Sequence, residues 1–300
     1  IYWRVDPQNI DSAVICQAAG LLKAGQTVAF PTETVYGLGA NGLDPEAVRG
    51  IFRAKGRPAD NPLILHVAEP AEACRLTKAM PEAARDLMEK FWPGPLTLVL
   101  PKAPGIPEEV TAGLDTVGIR MPAHPVALAL IRGAGVPVAA PSANRSGYPS
   151  PTMAEHVLAD LDGKIGAVLD GGATGVGLES TVLDLTGSIP VILRPGGVTR
   201  EQLTAVLGEV LLDPGLHDSN FRPKAPGMKY THYSPQAKVL ILQGDSAAVA
   251  AKAEAILQAN AENNIRTALL LSSETWPFVR TEQAVYAQEM GSRNNLEQVA

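Results

Sequence analysis

The chain of 300 residues holds only two cysteines, Cys16 and Cys74, far apart and without paired Cys or His neighbours. That excludes a disulfide framework and a zinc ribbon, gives the thiols a structural reading and fits a reducing compartment. Aromatic residues make up 5%, so the aromatic and basic interleaving of a single-stranded nucleic-acid surface is missing. Positive charge is not in excess: 25 basic against 31 acidic residues give a formal net charge of -6. Any anion must therefore be held by local cations, not by a global field. No apolar run reaches the roughly 18 residues of a membrane span, and the N-terminus lacks a signal-peptide layout. A soluble, cytoplasmic protein without membrane attachment is expected. Metalloprotease, nucleophile-elbow, zinc-deaminase and P-loop signatures are absent too.

What is present is apolar: 46% hydrophobic and 19% charged residues suffice for a sizeable core and exclude a disordered chain. The length suggests roughly two domains of about 150 residues. Many of the 25 prolines and 28 glycines gather in short polar clusters: PTETVYGLGANG, KGRPADNP, WPGPLT, RMPAHP, PSANRSGYPSP, DGGATGVGLEST, RPGG and APGMKYTHYSP. Such residues shape loops through fixed or positive φ, and a site built from loops is the reading.

Short β-branched or leucine-rich stretches between the clusters predict strands at 27–30, 63–67, 96–100, 117–120, 136–140, 167–170, 180–185 and 190–194. Apolar positions at helical spacing predict helices over 45–54 and 82–91. Thr152 with Glu155, and Thr199 with Gln202, read as capping boxes. The pair 180–185 and 190–194, joined by a short turn, reads as a hairpin, so the sheet of this α/β fold is mixed. A proline-containing stretch after Leu212 has no periodicity and reads as a linker or a functional lid. Beyond it, strand 238–242, a helix near 246–259 and strand 267–271 predict a β-α-β unit in a small second domain. The expected division is 1–212, 213–236 and 237–300.

Gly37, Gly39 and Gly42 match G-x-G-x-x-G, with Asp60 about 20 residues on. The helix is expected only at Asp44-Pro45, and Asp60 sits in a proline loop, so a dinucleotide site is disfavoured. Lys55, Arg57, Arg120, Arg145, Arg194 and Lys229 all lie within or beside the clusters, and such a concentration of cations suits a polyphosphate. Hydroxyls and amides of Thr32, Thr34, Asn61, Ser142, Asn144 and Ser180 can fix a small polar substrate. Of the five histidines, His66 is the best placed, at the end of a strand following the basic loop; His156 and His217 read as structural or solvated. An RNA-binding module is the alternative, since a basic concavity can also hold an RNA backbone.

The motifs PTETVYGLG (31–39), KGRP with NPL (55–63), PGPLT (93–97), RMP (120–122), PSANRSG with PSPT (141–152), STV (180–182), RPG (194–196) and PGMKYTHYSP (226–235) together resemble the YrdC/Sua5 family of threonylcarbamoyl-AMP synthases. The match runs in order over about 10–235, and the last segment with the unit after it resembles the two-domain Sua5 form. The resemblance implies a twisted, mostly open mixed sheet with a large basic cavity, and a small Rossmann-like C-terminal domain continuing past Ala300. It implies synthesis of L-threonylcarbamoyladenylate and pyrophosphate from L-threonine, bicarbonate or CO2, and ATP, with Mg2+ carried mainly on the phosphates. The product would serve a threonylcarbamoyl-transferase partner acting on adenosine 37 of tRNAs that read codons starting with A; tRNA itself would be met only indirectly. By motif, Thr34, His66, Arg120, Ala140 and Ser180 would surround threonine, with Arg120 on its carboxylate. Arg57, Asn61, Thr116, Ser142, Asn144, Ser150 and Arg194 would hold ATP. Lys55 and Arg57 would be the catalytic cations at its phosphates, and Tyr230 and Tyr233 would close from above.

Overall fold

The structure, a computed structural model, describes residues 1–216 and 237–295. The chain divides into two compact units, Ile1–Ser234 and Pro235–Ala300.

In the first unit the elements follow one another as β1 (Tyr2–Arg4), α1 (Ser12–Lys23), β2 (Val28–Pro31), β3 (Tyr36–Asn41), α2 (Pro45–Lys55), β4 (Ile64–His66), α3 (Pro70–Leu76) and α4 (Glu82–Phe91). Then come β5 (Leu96–Pro101), α5 (Glu108–Thr111), β6 (Thr116–Arg120), α6 (Pro125–Ala134), β7 (Val138–Ala139), α7 (Ala154–Leu161), β8 (Ala167–Asp170), β9 (Thr181–Asp184), β10 (Val191–Arg194), α8 (Arg200–Leu207) and β11 (Leu211–Leu212). Their strands form one sheet of 11 in the order β1-β8-β2-β3-β7-β4-β6-β5-β9-β10-β11. It is mixed, as expected: β4 runs parallel to β6, whereas β5 and β6, and β9 and β10, pair antiparallel.

The strands read as continuous apolar runs because both faces of the sheet are covered. In β2, Val28 and Phe30 join a core with Ile15, Leu22, Leu130 and Ile131 of α1 and α6. Ala29, pointing the other way, joins a core with Val48, Ile51, Leu87 and Leu203. Period-two alternation thus feeds two cores from one strand.

Several expectations need correction. PTETVYGLGANG is a loop only in its first half; Tyr36–Asn41 is β3. Its glycines weaken the strand signal, yet a Cβ on Gly39 would lie 2.7 Å from both Phe30 and Val138, so the side chains missing from β3 are replaced by neighbours packed onto its backbone. The capping box at Thr199 and Gln202 is formed. The one at Thr152 is not: α7 starts at Ala154 with no side-chain cap, and the Thr152 carbonyl accepts from Thr174 N–H at 3.0 Å, tying that residue into a loop. The strand over 136–140 shortens to Val138–Ala139, while β1 and β11 were unforeseen.

In the second unit α9 (Ser246–Glu262) is followed by β12 (Ala268–Leu271) and β13 (Tyr286–Glu289), which pair in parallel. The expected strand 238–242 is absent, and Val239 and Ile241 are 65% and 81% exposed; an apolar β-prone segment forms no strand without a ladder to join. Among the described residues the predicted β-α-β unit is therefore a helix followed by a strand pair. Ala250, Leu257, Leu271 and Val279 form its small core. Of the expected linker or lid at 213–236, only 213–216 fall within the described residues.

Candidate active site

Elements of the sheet deliver the site residues to one cavity. His66 ends β4 and Arg120 ends β6, and the parallel register sets them side by side. Thr34 follows β2, Ala140 follows β7 and Ser180 precedes β9; all five line the cavity. A β-bulge between Ile192 and Arg194 shifts the register of β10, which is how a strand-end side chain is re-aimed, and Arg194 joins the wall. Gly196 permits the crossing behind it: a Cβ there would lie 2.5 Å from the Ser180 carbonyl carbon.

Lys55 arrives differently, as the last residue of α2. Asp44 caps the start of that helix by accepting from the N–H groups of Glu46 and Ala47, and Gly56 ends it in the left-handed region at φ 61°. A cation suits this C-terminus, where the helix dipole is negative. Lys55 Nζ donates to the Ser142 carbonyl at 2.5 Å and to the Asn144 carbonyl, joining the helix end to the PSAN loop. Burial, reinforced by Arg57, holds its pKa well below the usual lysine range.

Arg120 Nε donates to the Gly94 carbonyl at 3.2 Å, and Nη2 to Thr34 Oγ1 at 3.0 Å and Glu33 Oε1 at 2.5 Å. Arg194 Nη2 donates to the Ser180 carbonyl at 2.9 Å and its hydroxyl at 3.1 Å, and that hydroxyl pairs with Thr97 at 2.8 Å. Burial, and then the Arg120 charge, push the His66 pKa down to about 3. The imidazole is thus neutral, and its buried Nδ1 lacks a hydrogen-bond partner among the described residues.

The structure brings together most of the expected residues. Thr32, Thr34, Lys55, Arg57, His66, Arg120, Ala140, Ser142, Asn144, Ser180 and Arg194 share the cavity wall. Asn61, Thr116 and Ser150 do not reach it. Asn61 is fully buried with both side-chain polar atoms unpartnered, Thr116 lines a neighbouring cleft with Pro62 and Thr111, and Ser150 donates to Glu179, which is on the wall. Arg145 stacks on Tyr148 with its guanidinium 4.1 Å from the ring centre and takes no part in the wall. Tyr230, Tyr233 and Lys229 lie outside the described residues. Within the cavity the cations turn inward onto loop carbonyls and Glu33. Sequence reasoning missed Glu33, Thr97 and Glu179. A search for anion-binding groups passes over acids, although Glu33 stood within the PTETV motif it used.

Comparisons with known proteins agree with the geometry. Residues 20–196 match the Sua5, YciO and YrdC family model, described as "Telomere recombination", and residues 198–300 match the model "Threonylcarbamoyl-AMP synthase, C-terminal domain". The threonylcarbamoyl-AMP synthase of Bacillus subtilis is 51% identical over 296 residues, covering 98% of this chain and 84% of the relative. That of Pyrococcus abyssi is 53% identical over 251 residues, covering 83% and 74%. The crystal structure of P. abyssi Sua5 complexed with L-threonine superposes with a TM-score of 0.92 at 47% identity, over 100% of this chain and 85% of that one. Escherichia coli YciO is similar over 68% of this chain and 98% of its own, with a TM-score of 0.63 at 25% identity.

Proposed function

The chain belongs to the Sua5/YrdC family of threonylcarbamoyl-AMP synthases, and from that membership we propose that its cavity joins L-threonine, bicarbonate or CO2, and ATP into L-threonylcarbamoyladenylate with release of pyrophosphate. The activity is that of a threonylcarbamoyl-AMP synthase, serving threonylcarbamoyl modification of tRNA. Formally it transfers a nucleotidyl group to a carbamate. The observation that carries this assignment is the register of β4 and β6, which sets neutral His66 beside Arg120 in a cavity shared with Lys55, Arg57 and Arg194.

The chemistry fits these groups. The threonine amine becomes a carbamate, whose oxygen attacks the α-phosphorus of ATP in line as pyrophosphate leaves. Both partners are anions, and fixed cations reduce their repulsion without a covalent intermediate. Arg120 anchors the amino-acid carboxylate, with Thr34, His66, Ala140 and Ser180 around the rest of threonine. Arg57, Ser142, Asn144 and Arg194 hold ATP, with Lys55 and Arg57 nearest the phosphates. For Asn61, Thr116 and Ser150, which do not reach the wall, and for Tyr230 and Tyr233, which lie outside the described residues, an ATP contact rests on the family resemblance alone. Among the described residues no three His, Cys, Asp or Glu side chains converge as a metal site, and the carboxylate on the wall, Glu179, accepts from Ser150. The residues therefore do not fit a resident magnesium ion, and Mg2+ enters with the ATP phosphates. A cytoplasmic location and delivery of the adenylate to a threonylcarbamoyl-transferase belong to the same proposal; no described helix is long and apolar enough to cross a membrane.

The test is incubation of the purified protein with ATP, L-threonine and labelled bicarbonate. A labelled adenylate and pyrophosphate, both dependent on threonine and formed without RNA, are expected. Pyrophosphate release without threonine, or none at all, would refute the assignment.

A further inference from the structure

Glu33 does not line the cavity, yet its place is built from three directions. Its backbone carbonyl accepts from Val176 N–H at 2.8 Å. The preceding Thr32 hydroxyl closes a tight turn by accepting from the N–H groups of Thr34 and Val35, each at 3.2 Å. The carboxylate spans two partners: Oε1 lies 2.5 Å from Arg120 Nη2, and Oε2 accepts from Ala123 N–H at 2.9 Å. The pair is nearly sealed, with the Glu33 and Arg120 side chains 16% and 5% exposed.

Two consequences follow for Arg120. Its Nε and Nη2 are spent on Gly94, Thr34 and Glu33, while Nη1 has no hydrogen-bond partner among the described residues. The guanidinium is thereby fixed in one orientation, its remaining donors held ready for a ligand. Its charge is also balanced. Lys55 and Arg194 donate to carbonyl and hydroxyl oxygens and form no ion pair among the described residues, whereas Arg120 faces a carboxylate at hydrogen-bond distance. The wall thus offers cations without a directly paired carboxylate, suited to phosphates, and one ion-paired cation that recognises a carboxylate by geometry.

We propose that Glu33 is a positioning and specificity-determining residue: by orienting and neutralising Arg120, it makes the amino-acid subsite select a zwitterion and reject inorganic phosphate. The proposal rests on the assignment of Arg120 to the threonine carboxylate. Without Glu33 the subsite would carry an unpaired guanidinium near Lys55 and Arg194, and a phosphate could occupy it in place of threonine.

Calorimetric titration of L-threonine into the full chain, with inorganic phosphate increased tenfold at constant ionic strength, provides the test. For the wild type, the apparent threonine Kd should change by less than about threefold. Glu33→Gln cannot accept from both Arg120 and Ala123, because one of its two amide atoms is a donor. That variant should bind threonine roughly tenfold more weakly, with a Kd that now climbs with phosphate. In turnover it should raise KM for threonine far more than it lowers kcat. Displacement of threonine by phosphate from the wild type overturns the proposal without any variant, so misfolding of Glu33→Gln leaves it testable. A folded Glu33→Gln with unchanged Kd and no response to phosphate overturns it as well. Arg120→Ala, run in parallel, separates the layers: if it loses threonine binding while Glu33→Gln does not, the role of Glu33 fails and the carboxylate assignment stands. If Arg120→Ala binds threonine normally, the assignment fails and takes the proposal with it.

Discussion

Arg120 and His66 are neighbours across β4 and β6, and burial acts on both. For Arg120 burial lowers the pKa and Glu33 opposes that shift, so the guanidinium stays available to a carboxylate. A charge-assisted hydrogen bond contributes about 1.5–3 kcal/mol, so Arg120→Ala should weaken L-threonine binding roughly ten- to a hundredfold; unchanged affinity in calorimetry would falsify the assignment. His66 has no such partner, and its pKa falls to about 3 from an ordinary 6.5. The unfolded chain therefore takes up a proton at this site as pH drops below about 6.5 while the native state does not. The stability tied to the neutral imidazole is complete above that pH and is lost progressively as pH falls toward 3. Replacing His66 with phenylalanine should reduce the loss of stability between pH 7 and pH 4.5 by on the order of 2 kcal/mol. Urea midpoints at the two pH values measure it, and equal acid sensitivity in both proteins would contradict the burial argument.

At the scale of elements, β3 shows how a strand can hide in a glycine-rich motif. Its pairing with β2 aligns Gly39 with Val28 and Gly37 with Phe30, and Phe30 leans onto the glycines. Gly39→Ala would place a Cβ 2.7 Å from the Phe30 ring and from Val138. Overpacking of that kind typically costs about 1–3 kcal/mol, although alanine is the better strand former. A lowered urea midpoint is expected, together with weaker threonine binding, since Phe30 also packs edge-on against His66 at 6.4 Å between ring centres. A stabilised Gly39→Ala would show that the strand yields more readily than its packing suggests. The helix α2 makes the complementary point. Its apolar spacing and its start at Asp44-Pro45 were legible in sequence, but that its terminal Lys55 would be buried and bonded to the carbonyls of Ser142 and Asn144 was not.

For the whole molecule, the two units have unequal cores. The first unit encloses its central strands between two extensive apolar clusters; among the described residues the second has a single core cluster of four residues, Ala250, Leu257, Leu271 and Val279, with Leu270 and Phe278 exposed at 66% and 59%. Opening free energy follows the apolar area a segment buries. Native-state hydrogen exchange on the full chain should find the amides of α9 and β12 opening at a free energy at least about 2 kcal/mol below those of β5 and β6. Matching protection in the two units would mean that they unfold as one.

Apolar runs, capping residues and the hairpin turn are local signals, and they determined the mixed α/β class and most strand positions, while the loop motifs carried the resemblance to the family. The cations and hydroxyls of the site were legible because their residue types are those that phosphate and amino-acid chemistry require. Sequence could not say which of them meet. His66 reaches Arg120 through a register between strands 54 positions apart, Arg194 through a bulge, and Arg145 is diverted onto Tyr148. Nor could it show that Glu33 would balance Arg120, because an ion pair between residues 87 apart exists only once the sheet brings the two loops together. Pairing register and burial depend on the whole chain, and they decided which side chains form a wall and which charges within it are cancelled.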